Sequence, residues 1–149
     1  MNIHKYFLTE VRSAIGKLSD QGIFPKGLDT DQISVEPPRD PKHGDISTNA
    51  AMVLAKVANL KPREIAEPLA EYLNTLDTVI GVTVAGPGFI NVTLSSEIWQ
   101  QIIAHVLATG ISYGDSTVGN GQKVNVEYVS ANPTGPLHVA HARGAVLGD

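Results

Sequence analysis

The sequence predicts an α+β fold: an antiparallel sheet with helices packed mainly on one face over residues 1–112, then a linker at 113–122 and a strand–loop–helix over 123–149. Three observations predict it. Apolar residues recur at helical spacing in the first 18 positions, two alternating runs flank Gly86-Pro87-Gly88, and a glycine-rich stretch after residue 110 separates a dense apolar pattern from a sparse one. The first is a helix signal, the second a hairpin signal, the third a domain boundary.

Composition bounds the function. Of 149 residues, 42% are apolar, enough for a core and too many for global disorder. The net charge is −4, so there is no basic field over the whole chain and any nucleic-acid contact must be a local patch. The absence of cysteine excludes disulfides and thiolate metal sites. "MNIHKYFLTEV" has no apolar signal core, and the longest mostly apolar run, "AAMVLAKVANL", is too short to span a bilayer and contains a lysine. A membrane partner is therefore not expected, nor a metal site.

Along the chain, Ile3, Phe7, Val11, Ile15 and Leu18 form one apolar helical stripe. "QISVE" at 32–36 alternates as a short half-buried strand ended by Pro37-Pro38. The loop "PPRDPKHGDIST" leads into a helix expected at 47–58, with Asp45 or Ser47 as its cap. Pro62 suits the first turn of the next helix, whose apolar face is Ile65, Leu69, Leu73 and Leu76. Pro68 lies inside that stripe, removes one backbone hydrogen bond, and predicts a kink or a split. "VIGVTVAGPGFINVTLS" reads as a hairpin. Ser95 or Ser96 then caps a helix that buries Ile98, Trp99, Ile102, Ile103, Val106 and Leu107 and stops at Gly110. No period of 20–50 residues repeats, which excludes a solenoid.

Residues 126–149, "VEYVSANPTGPLHVAHARGAVLGD", read as a strand, a Gly/Pro loop and a helix start with histidines at 138 and 141. A helix N-terminus exposes unpaired N–H groups that favour phosphate oxygens, and imidazoles there can hydrogen-bond phosphate. Taken alone, two histidines at a spacing of three are more often a surface pair at a helix end.

The surrounding residues resemble the first catalytic segment of class I aminoacyl-tRNA synthetases, and specifically of arginyl-tRNA synthetases. "HVAH" looks like that class's HIGH signature, and "EYVSANPTGPL" is similar to the run that precedes it in the arginine enzymes. "PPRDPKHGDISTNAAMVLAK" resembles their N-terminal domain, so the likeness covers the whole chain. It implies the first quarter of a ligase that activates arginine with ATP and Mg2+ as co-substrate and then charges arginine-accepting tRNA. It implies that the catalytic segment opens a Rossmann-like nucleotide-binding domain, that the chain is inactive alone with no tightly bound cofactor, and that it is cytoplasmic. Position by position, Glu127 matches the carboxylate that takes the substrate guanidinium, a pairing that suits a planar fork. Ser130 and Asn132 match residues that hold the substrate's amino and carboxylate groups. His138 and His141 match the catalytic, ATP-contacting histidines. Gly135 allows close approach of a ligand, and Pro133 and Pro136 stiffen the loop. Ala140 departs from the class, which usually has glycine there to let the adenine lie against the backbone.

The resemblance further implies that residues 1–112 are an appended module touching the tRNA elbow, near its D-loop. The candidates are Arg39, Lys42 and His43 in the loop, with Lys56, Lys61 and Arg63 near the next helix junction and Asn49 or Tyr72 for a base or sugar. Each has a plainer role available: Arg39 and Lys42 adjoin Asp40 and Asp45, and Lys56 and Arg63 are of a kind common on solvated surfaces. The competing readings are a free-standing tRNA-binding module and a different nucleotidyltransferase with a His-x-x-His phosphate site.

Overall fold

The computed structural model describes residues 2–132 and 134–149; Pro133, assigned above to loop stiffening, lies outside the described residues. The chain forms two compact units, one ending at Gly110 and the other Ile111–Asp149.

In the first unit the elements run α1 (Ile3–Asp20), β1 (Val35–Glu36), a 3-10 turn (Pro41–His43), β2 (Ile46–Thr48), α2 (Ala50–Ala58), α3 (Pro62–Leu73), β3 (Val79–Ala85), β4 (Phe89–Leu94) and α4 (Ser96–Thr109). Asn2 starts α1 by accepting the Lys5 N–H at 3.0 Å, and the stripe from Ile3 to Leu18 is buried as its spacing predicts. α3 begins at Pro62, with the Glu64 carboxylate accepting the Lys61 N–H at 2.9 Å.

The sheet has the order β1-β2-β4-β3, and every neighbouring pair is antiparallel. Its register places Val35, Thr48, Ile90, Val92, Val82 and Val84 in one set of cross-strand positions, and Glu36, Ser47, Asn91 and Thr83 in the other. The pleat sends these sets to opposite faces. Ile46, Ile90, Val92 and Leu94 join Phe7, Val11, Leu54, Ile65, Leu69 and Leu73 in a single core. Burying one such side chain fully is worth about 1.5–3 kcal/mol.

Four expectations change in this unit. The helix expected at 47–58 begins at Ala50, because residues 46–48 pair with β4 as a strand. Asp45 and Ser47 do not cap it; the Thr48 hydroxyl accepts the Ala50 N–H at 3.3 Å. Of the kink or split expected at Pro68, the split does not occur: α3 is one helix through it, held by Ile65, Ala66, Leu69 and Leu73, each fully buried. On α4 only Ile98 is buried, while Trp99, Ile103 and Leu107 are exposed. Ile98 enters the core and Ile102 packs partly buried against it.

In the second unit, a 3-10 turn spans Gly110–Gly114 from the boundary and α5 covers Val139–Gly148. The strand expected at 123–129 does not form. A strand exists through pairing, and none of the described residues pairs with this segment. The segment instead lies against α5 at two glycines. A Cβ on Gly144 would sit 2.7 Å from the Tyr128 carbonyl oxygen, and one on Gly148 would run into the Tyr128 ring. No described residue of this unit is buried.

The hairpin turn supplies a test of the fold. Gly86 (φ +52°) faces open space, whereas Gly88 (φ +127°) would place a Cβ 2.9 Å from Cβ of Pro62. Gly86→Ala is expected to cost about 1 kcal/mol. Gly88→Ala is expected to cost about 3 kcal/mol, through backbone strain together with the clash. Urea midpoints of the two variants measure the difference; equal midpoints would mean that the turn does not seat on α3.

Candidate nucleic-acid interface and ligand pocket

The face of the sheet away from the core carries a concavity of about 470 Å³. Its floor holds Ser47, Asn91 and Phe89, and its rim holds Glu36, Pro37, Pro38, Arg39 and His43. Strand alternation makes this floor: Ile90 and Val92 point into the core, so Phe89 and Asn91 point out. Phe89 is 41% exposed, a large aromatic ring on the polar face. Asn91 is only 5% exposed, yet its side chain makes no hydrogen bond to another described residue. An amide offers one acceptor and two donors, so a polar edge with hydrogen-bonding capacity lies at the floor beside the exposed ring.

The structure divides the residues nominated from sequence. Arg39 and His43 line the concavity. Lys42, between them in sequence, turns to Asp40 instead, with Nζ 2.7 Å from the carboxylate. Lys56 lies on α2 and Arg63 on α3, outside the lining, and Arg63 pairs with Glu67 at 3.3 Å. Asn49 lines the wall, but its amide bridges loops, accepting the Ser34 N–H at 2.8 Å and donating to the Gln32 carbonyl at 3.3 Å. Tyr72 accepts a hydrogen bond from Lys17 at 2.6 Å, and that bond raises the lysine pKa above its ordinary value. Phe89 and Asn91 were missed by the sequence reading. Their signal was available: a phenylalanine on the polar side of an alternating strand has no core to fill.

The second unit has its own concavity, of about 340 Å³, lined by Ser130, Asn132, Thr134, Gly135, Pro136, His138 and His141. Glu127 adjoins it through a hydrogen bond from the Ser130 hydroxyl to its carboxylate. Five of the six residues nominated for arginine and ATP are thus gathered together. The sixth, Ala140, is exposed on the first turn of α5. The two imidazoles stack with centroids 3.8 Å apart and planes at 27°. His141 Nδ1 accepts the main-chain N–H of His138 at 3.2 Å. In the neutral ring this leaves the proton on Nε2, free to donate.

The chain thus presents an α+β unit with a polar sheet face, followed by a loop and a helix with His138 at its N-cap. The fold matches a solved arginyl-tRNA synthetase from Plasmodium falciparum with a TM-score of 0.55 and 21% identity, over 99% of this chain and 27% of that one. Residues 5–94 match the family described as the arginyl tRNA synthetase N terminal domain, and the chain belongs to that family. Among curated relatives, the arginine–tRNA ligase of Parvibaculum lavamentivorans is 58% identical over 149 residues, all of this chain and 26% of that protein. That of Xanthobacter autotrophicus is 56% identical over the same span, 25% of its length. The chain therefore spans about a quarter of the length of the curated relatives it matches.

The Asp40–Lys42 pair is directly testable. Asp40 is held below the usual carboxylate range, first by the Lys42 side chain and then by the Lys42 backbone N–H. A depressed carboxyl contributes stability above its unfolded pKa and loses it as pH falls through the folded value. Lys42→Ala should raise the Asp40 midpoint toward that of a free aspartate, read by NMR titration. Stability near pH 7 should hardly move, because both side chains are solvated.

Proposed function

We propose that the chain is the N-terminal part of an arginine–tRNA ligase, and that its first unit binds tRNA at the open sheet face. The observation that carries this reading is Phe89 exposed beside the unpaired Asn91 amide. A nucleotide base offers what both lack: a π-face for the ring and donor and acceptor atoms on its edge. Arg39 and His43 at the rim would meet the flanking phosphates. Lys42, Lys56 and Arg63 would add weaker, screened attraction farther out. An unpaired loop nucleotide, as at the tRNA elbow and D-loop, fits such a pocket better than a stacked duplex does.

The second unit, in this proposal, opens a Rossmann-like nucleotide-binding catalytic domain, with the linker at 113–122 joining it to the tRNA-binding domain of residues 1–112. Glu127, oriented by Ser130, would take the guanidinium of arginine, and Ser130 and Asn132 its amino and carboxylate ends. His138 and His141, at the N-terminus of α5, would hydrogen-bond ATP phosphate through donors such as Nε2 of His141. The arginine carboxylate would then attack the α-phosphate, releasing pyrophosphate and leaving arginyl-adenylate for transfer to tRNA. Ala140 would present a methyl group where adenine lies. Mg2+ would arrive on the ATP phosphates, since no three His, Asp or Glu among the described residues lie together to hold it. The setting would be cytoplasmic, as the family resemblance implies. With no described residue of the second unit buried, arginine activation is assigned to the longer enzyme rather than to this chain alone.

Filter binding of the chain to purified bacterial tRNA tests the RNA reading. Phe89→Ala should weaken binding by about 1–3 kcal/mol, the worth of one stacked base. Arg39→Ala should weaken it less and lower the salt slope by about one. Unchanged affinity of a folded Phe89→Ala variant would overturn the proposal.

A further inference from the structure

We propose that Gly44-Asp45 is a clasp that positions the nucleotide-binding loop, with Asp45 acting as a positioning residue for RNA recognition. The inference rests on the RNA reading of the sheet face and deepens it.

The loop that carries Arg39 and His43 leaves β1 and returns to β2, strands of only two and three residues, so little ladder anchors it. Its own turn is well made. Asp40 accepts the Lys42 N–H at 3.1 Å, and the His43 N–H donates to the Asp40 carbonyl at 3.0 Å. These bonds shape the turn without fixing it over the sheet.

The fixing comes from the two residues after it. The Asp45 N–H donates to the Val92 carbonyl at 2.9 Å. The Asp45 carboxylate reaches two residues farther along β4 and accepts the Leu94 N–H at 2.8 Å. One residue thereby grips the C-terminal half of β4 at two points, by main chain and side chain. Gly44 lets it do so. At φ +103° a Cβ there would lie 2.7 Å from the Val92 carbonyl oxygen and 3.0 Å from the Thr93 hydroxyl, so only glycine passes this close to β4. Val92 and Leu94 are core-facing neighbours of Asn91 on the same strand. The clasp thus ties the rim residue His43 to the strand that bears the floor residues Phe89 and Asn91.

The sign of the effect separates positioning from electrostatics. Asp45 is an anion close to where phosphates would lie. If charge were its only influence, removing it would strengthen RNA binding. A positioning role predicts the reverse for Asp45→Ala, which deletes the acceptor of the Leu94 N–H. It also predicts rescue by Asp45→Asn, which keeps an acceptor oxygen and lacks the charge.

The experiment measures purified tRNA binding to the chain for both variants, for Phe89→Ala as reference and for Leu18→Ala as a destabilised core control. Amide hydrogen exchange is followed at His43, Gly44 and Leu94. Expected are an affinity loss of fivefold or more in Asp45→Ala with faster exchange at those amides, wild-type or tighter binding in Asp45→Asn, and wild-type binding in folded Leu18→Ala. Wild-type or tighter binding by Asp45→Ala, with Phe89→Ala impaired, would overturn the clasp alone. The same loss in Leu18→Ala would reduce it to general stability and also overturn it. Unimpaired Phe89→Ala would remove the RNA reading, and the clasp's role in it.

Discussion

The first unit depends on one strand having two different faces. β4 is flanked by β2 and β3, so both its edges are paired and its backbone is held. Its side chains alternate Phe89, Ile90, Asn91, Val92, Thr93, Leu94. Ile90, Val92 and Leu94 enter the core with α1, α2 and α3, and that burial fixes the register. A slip of one residue would turn Asn91 and Thr93 into the apolar core and move three core side chains out of it. The same alternation, enforced by the core, is what turns Phe89 and Asn91 to the face away from the core. Stability and the proposed recognition are thus two outcomes of a single period-two pattern.

Most of the fold was legible where periodicity was strong. The α1 stripe, the α3 face from Ile65 to Leu73 and the 79–94 hairpin follow from spacing alone. β2 was not legible: Ile46-Ser47-Thr48 is three residues long and runs into apolar residues of helical spacing, so its strand character comes from pairing with Ile90–Val92. The same pairing moved Asp45 from helix cap to strand clasp. On α4 the helical period was right and the burial was not, since periodicity says which residues share a face and not whether anything covers it. Trp99, Ile103 and Leu107 share such a face and lie exposed. The missing strand at 123–129 has the opposite cause, a suitable sequence without a pairing partner.

Of the nominated site residues, those clustered in sequence are clustered in space. Ser130, Asn132, His138 and His141 surround one concavity because a short loop and a helix start leave few other arrangements. The lysines and arginines were less legible, because a cation's partner depends on which carboxylate the fold brings near. Asp40 claims Lys42 and Glu67 claims Arg63, while Arg39 remains at the concavity. The two most informative residues, Phe89 and Asn91, lay unread within a run taken simply as strand.

Those pairings determine what kind of RNA recognition the first unit can support. The chain carries a net charge of −4, and two of the nominated cations are already matched to acids. A surface of this type neutralises few phosphates, so counterion release contributes little and non-specific affinity is low. What remains is contact with a base: an aromatic face, and an amide that forms no bond within the described fold. Such groups gain nothing from a duplex whose bases are stacked and paired, and they gain fully from a base turned out of a loop. The acidity of the chain therefore works with the pocket. On the RNA-binding role proposed above, it would suppress indiscriminate attraction to nucleic acid and leave the exposed ring and the amide to select an RNA that can present an unstacked nucleotide.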